Sequence, residues 1–295
     1  MSPSECFTCF LVPKPFVGHT GIIQENALRC LAALGIPTLV LGDEPGAAEA
    51  SAAHGARYLP DLPRNEAGTP RVDLAFDLAR RSTETSHLCY LNSDILFPKD
   101  FGTTVVSLLH QAPKALLTGR RWNLEVKEPL VFDDEGWTSL EDRRVREALN
   151  SGPAAMDYFL FPREAFLAMP PFAIGRPGWD NWMVFQAKVE GRWVVDLSST
   201  AAVLHQNHDY GHVPGGEATV RNGPESLANR SMAGGYFRLL NLKDATHQAV
   251  NGRVKRRWWR LSAHVATRWA LGLTTRLPWL RDRLRNLKRR LQGRI

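Results

Sequence analysis

Short apolar runs alternate with amphipathic segments through the first half of the chain. The runs at 7–12, 38–41, 56–59 and 87–91 are bounded by turn-forming residues, which is typical of buried strands. Between them, apolar residues recur at helical spacing, and the first such pattern ends at Gly35. The helical positions are Ile23, Ala27, Leu31 and Leu34, then Val72, Ala75, Phe76 and Ala79. This alternation predicts an α/β fold with a parallel sheet and ligands at the carboxyl ends of its strands.

The second half shows a mixed pattern, with proline- and glycine-rich turns between the elements. We predict strands at 115–118, 156–161, 193–197 and 201–204, and a helix at 179–189. Residues 206–235 carry no clear periodicity, and we expect a loop-rich segment there.

The composition fits a globular protein: 44% of the 295 residues are hydrophobic and 23% are charged. No run of eighteen apolar residues is present, which excludes a membrane-spanning helix. The start of the chain does not resemble a signal peptide, so we expect a cytoplasmic protein. The four cysteines are then expected as free thiols, with Cys6 and Cys9 in a buried strand.

The charge is divided between an acidic body and a basic end. Residues 253–295 hold fourteen Lys and Arg but one acid, Asp282, so this segment carries +13 and the rest of the chain carries −6. Apolar residues from Val254 to Leu291 recur at steps of three or four, and four of the nine tryptophans lie among them. The pattern favours an interfacial helix on anionic lipid. The alternatives are a helix packed on protein or, least favoured, a nucleic-acid-binding segment.

Five segments carry residues suited to chemistry. Asn92-Ser93-Asp94 follows a predicted strand, where Asp94 could hold a divalent cation, although such a sequence is also a common turn. Asp180 begins a predicted helix between Trp179 and Trp182; it could be an N-cap or a general base beside aromatic walls that suit a sugar ring.

Histidine is concentrated after the strand at 201–204. The run from His205 to His212 contains three histidines, including His208, and such a cluster favours a metal or phosphate site. Arg120 and Arg121 follow another strand and could neutralise phosphate, or could be ordinary surface arginines. Asp43 follows the second strand, where an acidic residue can receive a ribose.

Taken in order, these segments resemble bacterial glycosyltransferases of the GT-A, nucleotide-diphospho-sugar transferase type. The segments that carry the resemblance are Val12–His19, Gly42–Glu44, Arg64–Pro70, Tyr90–Asp94, Asp157–Pro162, Gly178–Trp182 and His205–Tyr210. The resemblance covers about residues 5–240. We therefore expect a GT-A domain, a Rossmann-like sandwich with a mostly parallel sheet, at 1–240 and a basic amphipathic helical tail at 241–295.

The resemblance also implies residue roles. It implies Mn²⁺ or Mg²⁺ at Asp94, with His205 or His208 as a late contact, and Asp180 as the catalytic base of an inverting enzyme. The donor would contact Pro13, Asp43, Asn65, Asn92, Arg120 and Arg121, and the acceptor would contact Asp157, Trp179 and Trp182. Position 92 departs from the family's Asp-x-Asp motif, which leaves Asp94 as its one charged ligand.

The resemblance thus predicts transfer of a sugar from a nucleotide-sugar donor to a lipid-linked or cell-envelope glycan acceptor. The protein would act on the inner face of the cell membrane, held there by residues 253–295, with no nucleic-acid partner. Retention of configuration stays open. So do two rival functions, a sugar nucleotidyltransferase and a glycan- or lipid-binding module with a degenerate transferase site.

Overall fold

The computed structural model describes residues 2–209, 216–235 and 238–257. Within them the helices are α1 (Pro3–Cys6), α2 (Gly18–Ala33), α3 (Ala47–Ala53), α4 (Val72–Arg81), α5 (Phe101–Gln111), α6 (Asp134–Glu147), α7 (Trp179–Val189), α8 (Gly216–Asn222) and α9 (Pro224–Met232). The strands are β1 (Phe7–Leu11), β2 (Thr38–Leu41), β3 (Arg57–Leu59), β4 (His87–Leu91), β5 (Ile95–Leu96), β6 (Leu116–Thr118), β7 (Arg121–Leu124), β8 (Leu149–Asn150), β9 (Tyr158–Pro162), β10 (Val194–Asp196), β11 (Val203–Gln206), β12 (His247–Val250) and β13 (Arg253–Arg256).

A central sheet of nine strands organises the chain, in the order β13-β12-β10-β6-β9-β4-β1-β2-β3. Its strands are parallel except β9, which is antiparallel to β4 and β6, and β13, which is antiparallel to β12. A smaller sheet has the order β5-β11-β7-β8. The predicted α/β fold with a mostly parallel sheet is confirmed.

Two hydrophobic layers cover the two faces of the central sheet. Along β1, Phe7, Cys9 and Leu11 belong to one layer while Phe10 belongs to the other, because successive strand side chains point to opposite faces. Helices α2 and α5 pack in the first layer, and α4 and α7 pack in the second. All four cysteines are free thiols and buried, as expected.

Several predicted elements agree closely with the structure. The strands at 38–41 and 87–91 and the helix at 179–189 have the predicted bounds. Helix α2 stops where expected because Gly35, at φ +63°, closes the helix end with its backbone N–H on Ala32 and that of Ile36 on Leu31.

Other expectations need correction. The segment 206–235 is not loop-rich, because α8 and α9 occupy most of its described part. The sheet also continues beyond residue 240, since β12 and β13 form its edge, and the compact unit runs from Met1 to Arg256. Val254 accordingly lies in a strand and not on a helical stripe.

The remainder of the predicted tail, 258–295, lies outside the described residues, as do Tyr210 and His212 of the histidine-rich run. Among the residues that are described, every helix is too short or too polar to cross a lipid bilayer.

Candidate functional site

Predicted site residues gather at one edge of the central sheet. Strands β1, β2, β3, β4 and β6 run parallel, so their carboxyl ends share that edge. Pro13 follows β1, Asp43 follows β2, Asn65 follows β3, Asn92 follows β4 and Arg120 follows β6. A crevice at this edge is where open α/β sheets bind ligands.

Asp94, His205 and His208 form a potential metal site, with one ligand atom from each lying within 4.8 Å of the others. Nε2 of His208 is 3.0 Å from Oδ2 of Asp94, and Nε2 of His205 is 3.6 Å from the same oxygen. The pairing of β11 with β5 brings them together, because it sets His205 opposite Ile95, the residue next to Asp94. The grouping of these three residues agrees with the predicted metal ligands.

The electrostatics of this cluster suit a cation. Burial by itself would raise the pKa of Asp94, but His205, His208 and Lys14 hold it well below its usual value, so the carboxylate is ionised. Burial lowers the pKa of His205, which favours the neutral imidazole that binds metals. Oδ1 of Asp94 and Nδ1 of His205 are buried without a hydrogen-bond partner in the described part of the chain. A bound cation would complete the coordination of such orphaned atoms.

A second carboxylate, Asp157, stands beside this cluster at the amino end of β9. Its Oδ1 accepts a 2.7 Å hydrogen bond from Nδ2 of Asn92, and its Oδ2 forms a 2.7 Å ion pair with Nη1 of Arg121. The Tyr90 hydroxyl donates to Oδ1 of Asn92 at 3.0 Å. Asp157 is thus held in a fixed network by Asn92 and Arg121.

Asp180 is the second residue of α7. The turn that precedes this helix contains Gly175 and Gly178. Both glycines have positive φ, +69° and +118°, which favours glycine. Oδ1 of Asp180 accepts the N–H of Gly178 at 3.0 Å, so Asp180 is not the N-cap, which is Gly178 itself. Burial raises the pKa of Asp180 to about 6 against these backbone hydrogen bonds, and the charge of Asp157 adds to the rise.

The tryptophans beside Asp180 do not form an open wall. Trp179 and Trp182 are each 5% exposed and pack in the core, Trp179 edge-on to Tyr90 with ring centroids 4.9 Å apart. Little of either indole face is open in this structure, because both indoles point into the layer that α7 covers. They contribute instead to the apolar surroundings that raise the pKa of Asp180.

The residues predicted to contact the nucleoside do not belong to the cluster of Asp94, His205 and His208. They interact with other polar side chains. Asp43 is exposed and pairs with Arg64 at 2.7 Å. Asn65 is held by internal contacts, since its Oδ1 accepts the N–H groups of Ala67 and Thr69 and its Nδ2 donates to Glu225. Asn65 instead shapes the turn after β3.

Two residues of the site were missed from the sequence. Lys14 lies close enough to Asp94 to interact with its charge, and burial lowers the pKa of this lysine. Gln24 of α2 fixes the loop, because its Oε1 accepts from the Lys14 N–H at 2.6 Å and from Ser93 Oγ at 2.8 Å. The available signals were a lysine between two prolines after a buried strand and a polar residue beside the apolar face of α2. Pro13, predicted as a donor contact, is buried.

Comparison with known proteins gives similarity in structure alone. No family model matches the chain, and no curated protein matches its sequence. Solved structures that resemble it include TarS of S. aureus, at 11% identity and a TM-score of 0.44 over 68% of this chain. Another structure of TarS contains UDP-GlcNAc. This chain spans 60% of the length of the TarS chain.

A second similar structure is glucosyl-3-phosphoglycerate synthase of Mycobacterium tuberculosis with Mn²⁺, UDP-glucose and phosphoglyceric acid. It is 14% identical, with a TM-score of 0.45 and coverage of 79% of this chain and 81% of that one. Identities this low and TM-scores below 0.5 leave the activity of this chain to be argued from its own site.

Proposed function

We propose that this protein is a metal-dependent glycosyltransferase that moves a sugar from a nucleotide-sugar donor to a hydroxyl group of an acceptor, with inversion. The observation that carries the proposal is the presence of two unlike carboxylates near the end of β4, where the charges of both act on Tyr90. Asp94 is ionised among His205, His208 and Lys14, while Asp180 has a pKa raised to about 6. Carboxyl groups whose environments separate their pKa values are suited to different tasks.

The donor half of the site is cationic. A divalent ion held by Asp94, His205 and His208 would neutralise the charge that develops on a leaving diphosphate. Two imidazoles and one carboxylate favour Mn²⁺ over Mg²⁺, which prefers oxygen ligands. Lys14 adds a positive charge from the chain itself beside Asp94, and the half-buried Arg120, which follows β6, would add another.

The acceptor half depends on Asp180. With a pKa near 6, its carboxylate is ionised at neutral pH, yet it is a stronger base than an exposed aspartate. It can therefore take the proton of an acceptor hydroxyl as that oxygen attacks the sugar from the face opposite the diphosphate. Asp157, fixed by Asn92 and Arg121, lies near enough to influence Asp180 and is placed to orient a sugar hydroxyl.

We further propose a lipid-linked or cell-envelope glycan as acceptor, with the protein on the inner face of the membrane. The support is the sequence of residues 253–295, whose charge of +13 and four tryptophans suit an anionic lipid surface. Within the described part of this segment, strand β13 (Arg253–Arg256) presents Arg253, Lys255 and Arg256 on an exposed edge.

Turnover of nucleotide sugars by the full-length protein tests the proposal. The purified chain would be incubated with Mn²⁺ and a panel of nucleotide sugars, and release of the nucleoside diphosphate measured. We expect turnover of at least one donor, lost in Asp94→Ala and kept in Asp134→Asn, a matched change at an exposed aspartate. Donor-induced stabilisation without any turnover would identify a binding module instead.

A further inference from the structure

Asn92 stands where the resembling family has a metal-binding aspartate, but its side chain is directed elsewhere. Its Nδ2 donates to Oδ1 of Asp157 at 2.7 Å, and its backbone N–H donates to the carbonyl of the same residue at 2.9 Å. Its Oδ1 accepts the Tyr90 hydroxyl at 3.0 Å. Both ends of the carboxamide are therefore occupied by groups outside the cluster of Asp94, His205 and His208.

This geometry requires an amide and not a carboxylate at position 92. Asp157 is 8% exposed and its Oδ2 pairs with Arg121, so the atom facing its Oδ1 must be a donor. An aspartate at 92 would place a second negative oxygen 2.7 Å from the first. Like charges at that distance in a buried site are strongly unfavourable.

Asp157 interacts with both halves of the site. It interacts electrostatically with His205 on the metal side and with Asp180 on the acceptor side. Its direction is set from two sides, by Asn92 on Oδ1 and by Arg121 on Oδ2. Loss of either partner would let this carboxylate rotate relative to Asp180.

We propose that Asn92 is a positioning residue that fixes Asp157 between the metal cluster and Asp180, and that it contributes no ligand to the metal. The inference deepens the proposed function, on which its catalytic part rests. It has a counterintuitive consequence: restoring the aspartate that the resembling family carries at this position damages the site and does not improve metal binding.

The decisive comparison is a swap of the amide and the carboxylate between positions 92 and 157. Asn92→Asp should lower the melting temperature by about 3–10 °C, because a buried hydrogen bond is replaced by repulsion. Adding Asp157→Asn should recover most of that loss, since an amide again faces a carboxylate and the Tyr90 hydroxyl still has an acceptor. Asn222→Asp, at an exposed helical position, is the matched control and should melt like the wild type.

Metal affinity separates positioning from ligation. The full-length variants Asn92→Ala and Asn92→Asp would be titrated with Mn²⁺ alone. We expect dissociation constants within about threefold of the wild-type value. Loss of a contact that supports a metal ligand would instead weaken Mn²⁺ binding by about 10–100-fold. Tighter Mn²⁺ binding by Asn92→Asp, at an unchanged melting temperature, would overturn the proposal, because position 92 would then be a ligand.

The state of Asp180 tests positioning against a merely structural role. The charge of Asp157 raises the pKa of Asp180, so Asp157→Asn should lower that pKa, followed by carboxyl ¹³C NMR. Asn92→Ala should also shift that pKa, because Asp157 is no longer held in place. An unchanged Asp180 pKa in a destabilised Asn92→Ala would leave Asn92 a structural residue and refute the positioning role. These measurements need no turnover, so they are decided separately from the proposed transferase activity.

Discussion

Replacing Asp180 by asparagine separates catalysis from stability, because the two should change in opposite directions. The amide keeps the size of the side chain and can still accept the Gly178 N–H. It cannot accept a proton at neutral pH. We therefore expect kcat to fall by about 10²–10⁴-fold, while donor affinity is retained.

The stability effect follows from the pKa of about 6, against 3.8 for an ordinary aspartate. Because the pKa of Asp180 is higher in the folded state than in the unfolded state, its ionisation opposes folding. The contribution of protonated Asp180 to the free energy of unfolding is fully present below pH 4 and is lost as the pH rises through 6. The difference corresponds to at most about 3 kcal/mol, and partial solvent access reduces it to roughly 1–2 kcal/mol. Asp180→Asn lacks this loss, so at pH 8 it should melt about 2–8 °C above the wild type.

The assay pairs thermal melts at pH 4 and pH 8 with a pH–rate profile. Wild-type kcat should rise with pH through about 6 as the base ionises. The melting temperatures of wild type and variant should agree at pH 4 and separate at pH 8. Asp134→Asn, whose carboxyl has its pKa lowered by Lys99, should change neither rate nor stability in this manner. A variant that keeps more than a tenth of wild-type kcat, or melts below wild type at pH 8, refutes the reasoning.

Three further predictions concern the cation, the loop lysine and the basic segment. Mn²⁺ at 100 times its dissociation constant should stabilise the wild type by about 2.7 kcal/mol and leave Asp94→Ala unchanged in melting temperature; equal stabilisation of both would move the metal elsewhere. Lys14→Met should raise the donor KM about tenfold in steady-state assays, equivalent to about 1.4 kcal/mol of binding free energy. The control variant Lys127→Met, at an exposed lysine, should leave the donor KM unchanged. Deleting 257–295 removes eleven Lys and Arg and one acid. The shortened chain should no longer sediment with phosphatidylglycerol vesicles at low salt, while its donor turnover on a soluble acceptor continues. Vesicle binding by the shortened chain would place the lipid contact in residues 1–256.

The local sequence pattern was sufficient to predict elements that are specified by a few neighbouring residues. Strand β4, with its turn at Asn92–Asp94, and helix α7 are of this kind, since an apolar run or an amphipathic period marks each one. The sequence also grouped Asp94, His205 and His208 correctly, although through resemblance and not through geometry.

The elements that were missed depend on distant partners. Strand β5 has two residues, too few for a period, and exists because β11 pairs with it. The direction of Trp179 was also unpredictable, because a tryptophan at the start of a helix can line a cleft or fill a core, and the packing of α7 decides. The internal partners of Asn65 and Asn92 were unpredictable for the same reason, because Glu225 and Asp157 are 160 and 65 residues away.

The short pairing of β5 with β11 also has a topological consequence. Asp94 precedes β5 and His208 follows β11, and the two residues are in contact although they are 114 residues apart in sequence. The chain between them therefore forms a closed ring. Helices α5, α6 and α7 and strands β6 to β10 all belong to that ring. A cation shared by the two ends would act as a non-covalent clasp, which stabilises the folded chain by mass action and leaves the unfolded chain unrestricted. The ion that assists the chemistry would therefore also hold together the half of the protein that carries Asp180.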